Sequence, residues 1–184
     1  MTLKKQLTFV AIVGGVAFVT AFLLGAITAG APTPPTVSPA FIGLIFGVVA
    51  GTVYLGLAGN RKVPLADEAS RTRALQGAEP GSAQLIVLRE GFYGKAAGVD
   101  VSIDGVVRTQ LKSPRFAALA LAPGRHEVGA EVQRRSAVPV TVELAAGETQ
   151  VLRIKVGMGK PALVPEADVA AIRASLANVP MVVS

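Results

Sequence analysis

The stretch Leu7–Gly30 has the sequence LTFVAIVGGVAFVTAFLLGAITAG, and it decides the class of this protein. At about 1.5 Å of rise per residue, a helix of this length crosses a hydrocarbon core about 30 Å thick. A second apolar run, Ala40–Gly59, is also long enough. Between them lies Ala31–Pro39, APTPPTVSP, whose prolines cannot continue a helix. These features predict a two-span transmembrane hairpin over residues 1–60, with a short uncharged tip.

A secretory signal peptide is the competing interpretation of the first run. Lys4 and Lys5 resemble a basic n-region, and the small residues 29–31 resemble a cleavage site. The apolar stretch is longer than the 7–15 residues of a typical h-region, however. Its length favours a retained span.

Each span carries small residues at a spacing of four, which places them on one helical face. Small side chains on such a face let two helices approach closely. We expect the two spans to pack on each other, and docking to another membrane subunit or self-association is the alternative. The packing residues are Ala17, Ala21, Gly25 and Ala29 in the first span and Gly43, Gly47 and Gly51 in the second.

The basic residues that flank the spans predict the topology. Lys4 and Lys5 precede the first span, Arg61 and Lys62 follow the second, and the tip is uncharged. By the positive-inside rule, both termini and the region after the spans lie in the cytoplasm, with the hairpin in a bacterial inner membrane. The same four side chains are suited to contact lipid headgroups.

The composition excludes several classes of function. The 184 residues include no cysteine and one histidine, so disulfides, thiolate metal sites and multi-histidine sites are excluded. Tryptophan is absent and tyrosine occurs twice, which leaves few stacking residues for nucleic acid. We therefore predict a protein that is not an enzyme, has no metal or cofactor, and does not bind nucleic acid.

The remainder of the chain has the pattern of a β domain. Residues 61–82 are polar and turn-rich and predict a linker, with one short helical turn. In residues 83–184, apolar Val99, Val101 and Ile103 alternate with polar residues, and Asp104-Gly105 predicts a type I′ hairpin turn. About seven such segments predict an all-β antiparallel sandwich, followed by a short amphipathic helix near residues 166–177.

Three stretches of this region carry a resemblance to a known family. They are GVDVSIDG (Gly98–Gly105), LALAPGRHEV (Leu119–Val128) and VELAAGE (Val142–Glu148). Over residues 98–156 the chain resembles the PEGA-type β-sandwich, and it is similar to a related family of uncharacterised bacterial domains often found on lipoproteins. The resemblance implies an immunoglobulin-like or transthyretin-like sandwich that serves as a non-catalytic accessory module. It also implies a periplasmic location, the alternative to the cytoplasmic side.

The candidate functional residues are few. His126 follows a Pro-Gly turn, and we expect it to bond a backbone carbonyl rather than to act as a base. Asp100 and Asp104 are expected on an outer, solvated face. A contact with a partner is predicted for Phe92 and Tyr93 in one loop and Arg134 and Arg135 in another.

Together these features predict a membrane-anchored, non-catalytic accessory or scaffold protein that presents its β domain to other proteins. An envelope module that binds a glycan, lipid or small molecule is the alternative function.

Overall fold

The computed structural model describes residues 3–33 and 35–184, so Pro34 of the predicted tip lies outside the described residues. The chain divides into two compact units, Met1–Gly59 and Asn60–Ser184. We call them the hairpin unit and the β unit.

The hairpin unit contains two long apolar helices, as predicted. Helix α1 spans Leu3–Thr28 and helix α2 spans Pro39–Leu57. At 26 and 19 residues they are about 39 Å and 28 Å long. Pro39 occupies the first turn of α2, where its missing N–H costs no helical hydrogen bond. Both helices are long and apolar enough to cross a membrane.

The described residues of the β unit form nine strands, two α-helices and one 3-10 turn. The helices are α3 (Glu68–Gln76) and α4 (Val169–Ser175), and α4 continues into the 3-10 turn Leu176–Asn178. The short C-terminal helix is therefore confirmed. The strands are β1 (Ala83–Arg89), β2 (Val99–Ile103), β3 (Val106–Leu111), β4 (Arg115–Leu121), β5 (Gly124–Val132), β6 (Arg135–Ser136), β7 (Val140–Leu144), β8 (Thr149–Lys155) and β9 (Ala162–Pro165).

The strands form two sheets that are mostly antiparallel. One has the order β4-β1-β8-β9, and the other has the order β3-β2-β5-β6, with β7 also paired to β5. Strands β1 and β8 are parallel, with Ile86 opposite Val151, which departs from the antiparallel prediction. Every residue of β1 is buried. A continuous apolar strand that is covered on both faces is typical of parallel pairing.

Two hydrophobic clusters explain why β1 is buried on both faces. The larger cluster takes side chains from both sheets, including Leu85 and Val87 of β1 and Val101 of β2. The smaller cluster lies on the other face of the β1 sheet, where Ile86 and Leu88 pack against α3, α4 and the C-terminal tail.

Local predictions in the β2–β3 hairpin are confirmed. Val99, Val101 and Ile103 are all buried, as their alternation requires. Asp104 and Gly105 have φ angles of 52° and 77°, the positive values that a type I′ turn needs at both central positions. Val138 alternates with Val140 and Val142 in the sequence, but it is exposed because β7 begins at Val140, after Pro139.

Residues 61–82, predicted as a linker, belong to the β unit. Asp67 caps α3 by accepting a hydrogen bond from the Ser70 N–H at 2.7 Å, which lowers the pKa of the Asp67 carboxyl. The Gln84 side chain donates to the Ala74 carbonyl at 2.8 Å. Ala74 and Leu75 pack on the smaller cluster, so α3 covers one face of the β1 sheet.

Candidate functional site

The structure brings together most, but not all, of the predicted packing residues of the hairpin. Gly43, Gly47 and Gly51 are the buried residues of α2. A Cβ at Gly43 would meet the Ala17 carbonyl and the Ala21 Cβ, and one at Gly47 would meet the Ala17 Cβ.

The C-terminal part of the α1 stripe is not packed in this way. A Cβ added at Gly25 would have nothing within 4 Å, and Ala29 is exposed. The contact therefore joins Ala17 and Ala21 to Gly43 and Gly47, while Gly51 faces Phe9 and Val13.

The predicted contact residues of the β unit lie at one end of it. Since β1 and β8 are parallel, the loops that follow them, residues 90–98 and 156–161, leave the sheet at the same end. Arg135 donates to the carbonyls of Met158 at 2.8 Å and Gly159 at 3.1 Å, so the β5–β6 turn joins this end as well. We call residues 90–98, 133–136 and 156–161 the loop end. It unites Phe92 and Tyr93 with Arg134 and Arg135.

The loop end carries exposed apolar side chains. Phe92 is 90% exposed, Met158 is 84% exposed, and Tyr93 is half exposed. Isolated exposed apolar residues are common on proteins, whereas these three side chains lie in two loops of the same end.

Buried Arg89 holds the 90–98 loop in place, a role that the sequence analysis did not foresee. Its guanidinium donates to the carbonyls of Gly94 at 2.6 Å and Leu111 at 2.9 Å, and also to the Ala97 carbonyl. Burial lowers the pKa of this side chain below its ordinary value. The signal in the sequence was a lone arginine at the end of an apolar strand.

Asn60 also binds this loop, and the sequence analysis missed it too. Its side-chain amide donates to the Ala96 carbonyl at 2.8 Å, and its side-chain oxygen accepts from the Gly98 N–H at 2.6 Å. Ser113 adds a hydrogen bond to the Gly91 carbonyl at 2.7 Å. Asn60, the first residue of the β unit, is thus hydrogen-bonded to the loop end.

The loop end and its surroundings are rich in positive charge. Two nearby carboxylates are paired, Glu90 with Arg153 and Asp100 with Arg61 at 2.9 Å, while exposed Glu131 accepts a hydrogen bond from the Ser136 hydroxyl. Arg153 also binds Glu166, and these two partners raise the pKa of its guanidinium, Glu166 most. The exposed cations of the loop end are Lys95, Arg134 and Lys160. Exposed Lys62 lies two residues after Asn60.

His126 and Asp104 form a pair at the opposite end. The His126 Nδ1 lies 2.8 Å from an Asp104 carboxylate oxygen, and its Nε2 lies 2.8 Å from the Ala122 carbonyl. Both partners are acceptors, so the protonated ring satisfies both, and Asp104 chiefly raises the His126 pKa. In turn, the bonds from His126 and from the Glu127 N–H lower the Asp104 pKa. The bond to a backbone carbonyl agrees with the sequence-based expectation.

Metal-ligand clusters and surface depressions were compared with the position of the loop end in the described part of the chain. Within residues 3–33 and 35–184, no group of three or more His, Cys, Asp or Glu side chains is placed to hold a metal ion. Surface depressions lie instead along α3 and the C-terminal tail, lined by residues such as Ser70, Arg73 and Met181.

Comparison with known proteins yields little. No family model and no curated protein matches this chain. A solved structure of the N-terminal domain of AlgF from P. aeruginosa matches at 26% identity and a TM-score of 0.33. The match covers 48% of this chain and 98% of that domain.

Proposed function

We propose that this chain is a membrane-anchored, non-catalytic accessory or scaffold protein of a bacterial inner membrane. The hairpin unit is the anchor, and the β unit is a PEGA-like sandwich of the immunoglobulin or transthyretin kind. The core cluster with side chains from both sheets supports the sandwich arrangement. The flanking basic residues support a cytoplasmic β unit.

The observation that best supports a contact with another protein is an exposed edge strand. Strand β3 lies at the end of its sheet and exposes two adjacent valines, Val106 at 58% and Val107 at 43%. A strand at the edge of a sheet can pair with a strand of another protein through its backbone N–H and C=O groups. Exposed valines beside those groups add apolar area to such a contact.

The chemistry of the single histidine favours contact over catalysis. Both ring nitrogens of His126 are occupied, one by Asp104 and the other by the Ala122 carbonyl. A general base needs a free nitrogen within reach of the proton that it removes.

Site-specific photo-crosslinking of the full chain in its native membrane tests this proposal. A photoreactive residue at Val107 is expected to crosslink to one defined protein, whereas the same residue at exposed Glu131 of β5, a strand paired on both sides, is the matched control. Val107→Lys should abolish the interaction of the unlabelled chain with that protein. Equal crosslinking from both positions, or from neither, would contradict a scaffold role for β3.

Sidedness is tested separately, because the resemblance implies the periplasm. The chain lacks cysteine, so Ala146→Cys in the exposed β7–β8 turn gives a single labelling site. A membrane-impermeant thiol reagent should label it in lysed spheroplasts and leave intact ones unlabelled. Labelling of intact spheroplasts would place the β unit in the periplasm.

A further inference from the structure

We propose that the loop end of the β unit lies on the anionic headgroup surface of the membrane that holds the hairpin. The occupant of this surface is lipid. The inference rests on the proposed function insofar as the hairpin is inserted in a bilayer. It adds a second, peripheral membrane contact, made by the β unit itself.

The covalent chain supplies the first argument. Helix α2 ends at Leu57, and Asn60 is bound to the Ala96 carbonyl and the Gly98 N–H. Three peptide links join Leu57 to Asn60, so their Cα atoms are at most about 11 Å apart. The loop end is therefore the part of the β unit at which the polypeptide arrives from the second span.

The exposed apolar side chains supply the second argument. Phe92, Tyr93 and Met158 project from two different loops of this end. Aromatic residues are enriched at the level of the headgroups, where the ring meets apolar lipid and the tyrosine hydroxyl meets water.

Charge supplies the third argument. Lys95, Arg134 and Lys160 are exposed at the loop end, while Glu90 is paired with Arg153. Anionic lipids attract such basic groups within a Debye length of the surface.

The opposite end of the β unit lacks this bias. It exposes acidic Asp104, Glu127 and Glu143 together with basic Arg108 and Arg125. The charge asymmetry orients the β unit with its loop end toward an anionic membrane.

The loop that carries the aromatic residues is held in place before it meets lipid. The Arg89 guanidinium donates to the carbonyls of Gly94 and Ala97, and the Ser113 hydroxyl donates to the Gly91 carbonyl. A loop that is already ordered loses little conformational entropy on contact.

The test uses the full chain in nanodiscs made of phosphatidylcholine, with or without phosphatidylglycerol. A single cysteine, Met158→Cys, carries an environment-sensitive fluorophore that is quenched by lipids labelled near the headgroup. Ala146→Cys, in an exposed turn at the opposite end, is the matched control. In anionic discs we expect quenching at position 158 to exceed that at position 146 about fivefold.

Charge reversal distinguishes the basic residues of the two ends. The combination Lys95→Glu, Arg134→Glu and Lys160→Glu should reduce quenching at position 158 to the level of the control. The matched reversal at the opposite end, Arg108→Glu with Arg125→Glu, should leave it unchanged. Equal quenching at positions 158 and 146 would overturn the proposal. The proposal would also be overturned if the fluorophore at position 158 were shielded from water only after another protein is added, since that result would favour a protein partner.

A third label separates failure of this inference from failure of the anchor. Val19 is exposed on α1. A fluorophore attached to Val19→Cys should be quenched by lipids that are labelled deep in the acyl chain. Quenching at position 19 without quenching at position 158 would refute the headgroup contact and leave the anchor intact. Absence of quenching at position 19 would refute the anchor itself.

Discussion

The hairpin unit and the β unit bury opposite kinds of residue. In the hairpin, the buried residues of α2 are three glycines, while Phe18 is 71% and Phe41 is 58% exposed. In the β unit, Phe116 is fully buried and glycines serve in turns such as Asp104-Gly105. An apolar side chain gains free energy by leaving water, whereas lipid is as apolar as a protein core. The comparison supports two different solvents for the two units.

The same substitution in the two units should give the largest contrast. Phe116→Ala removes a buried ring from the smaller cluster, and we expect it to destabilise the β unit by about 4 kcal/mol. Phe41→Ala removes an exposed ring and leaves no cavity, so its effect in lipid should be below about 1 kcal/mol. Amide hydrogen exchange in nanodiscs measures the stability of each unit separately. Equal losses of protection would refute the contrast.

Arg89→Met comes next in expected size, because it leaves buried carbonyls without a donor. We expect a loss of about 3 kcal/mol, concentrated in the loop of residues 90–98. Amide exchange of that loop should increase before exchange of β1 does. The matched control is Arg115→Met, at the paired position on β4, where the side chain is half exposed. A uniform increase over the whole β unit would show that Arg89 supports the core rather than the loop.

A glycine pair tests the packing of the hairpin. Gly47→Val places a side chain against Val13 and Ala17, and we expect it to cost about 2 kcal/mol through overpacking. Gly25→Val lies on the predicted stripe of α1 but meets nothing within 4 Å, so its cost should be close to zero. The midpoint of unfolding in a denaturing detergent measures both. Similar midpoints for the two variants would contradict the α1–α2 contact.

The smallest effect is expected from His126 and Asp104. Asp104 raises the His126 pKa in the folded chain, so the stabilisation is fully present below the unfolded value of about 6.5. It is lost as pH rises through the folded pKa of His126. The lowered Asp104 pKa acts in the opposite direction: its contribution, present above about 3.9, is lost as pH falls through the folded pKa of Asp104.

Nuclear magnetic resonance titration checks this pair directly, since the chain has one histidine. The His126 midpoint should lie above about 6.5, and Asp104→Asn should lower it. Asp100→Asn, an acidic residue paired with Arg61, is the control and should leave the midpoint unchanged. A midpoint that is insensitive to Asp104→Asn would rule out the pair as its cause.

Local patterns in the sequence were sufficient for much of the fold. The length of the apolar runs determined the two helices, because a helix in lipid needs a minimum number of apolar residues. Alternation determined which side of β2 is buried, and Asp104-Gly105 determined the turn, since both depend on neighbouring residues alone.

Long-range pairing was decided by the tertiary structure. The parallel register of β1 with β8 joins residues more than sixty positions apart, and no local pattern encodes that choice. The same holds for residues 61–82, whose polar composition indicated a linker although α3 covers a sheet face.

The candidate site shows the same division. Phe92, Tyr93, Arg134 and Arg135 were singled out by residue type and loop position, and a contact through them stays a prediction. That they share one end follows from the β1–β8 pairing and the bonds of Arg135 to the β8–β9 turn. Arg89 and Asn60 acquire their roles through carbonyl groups distant in the chain, and such partners exist only once the strands have assembled.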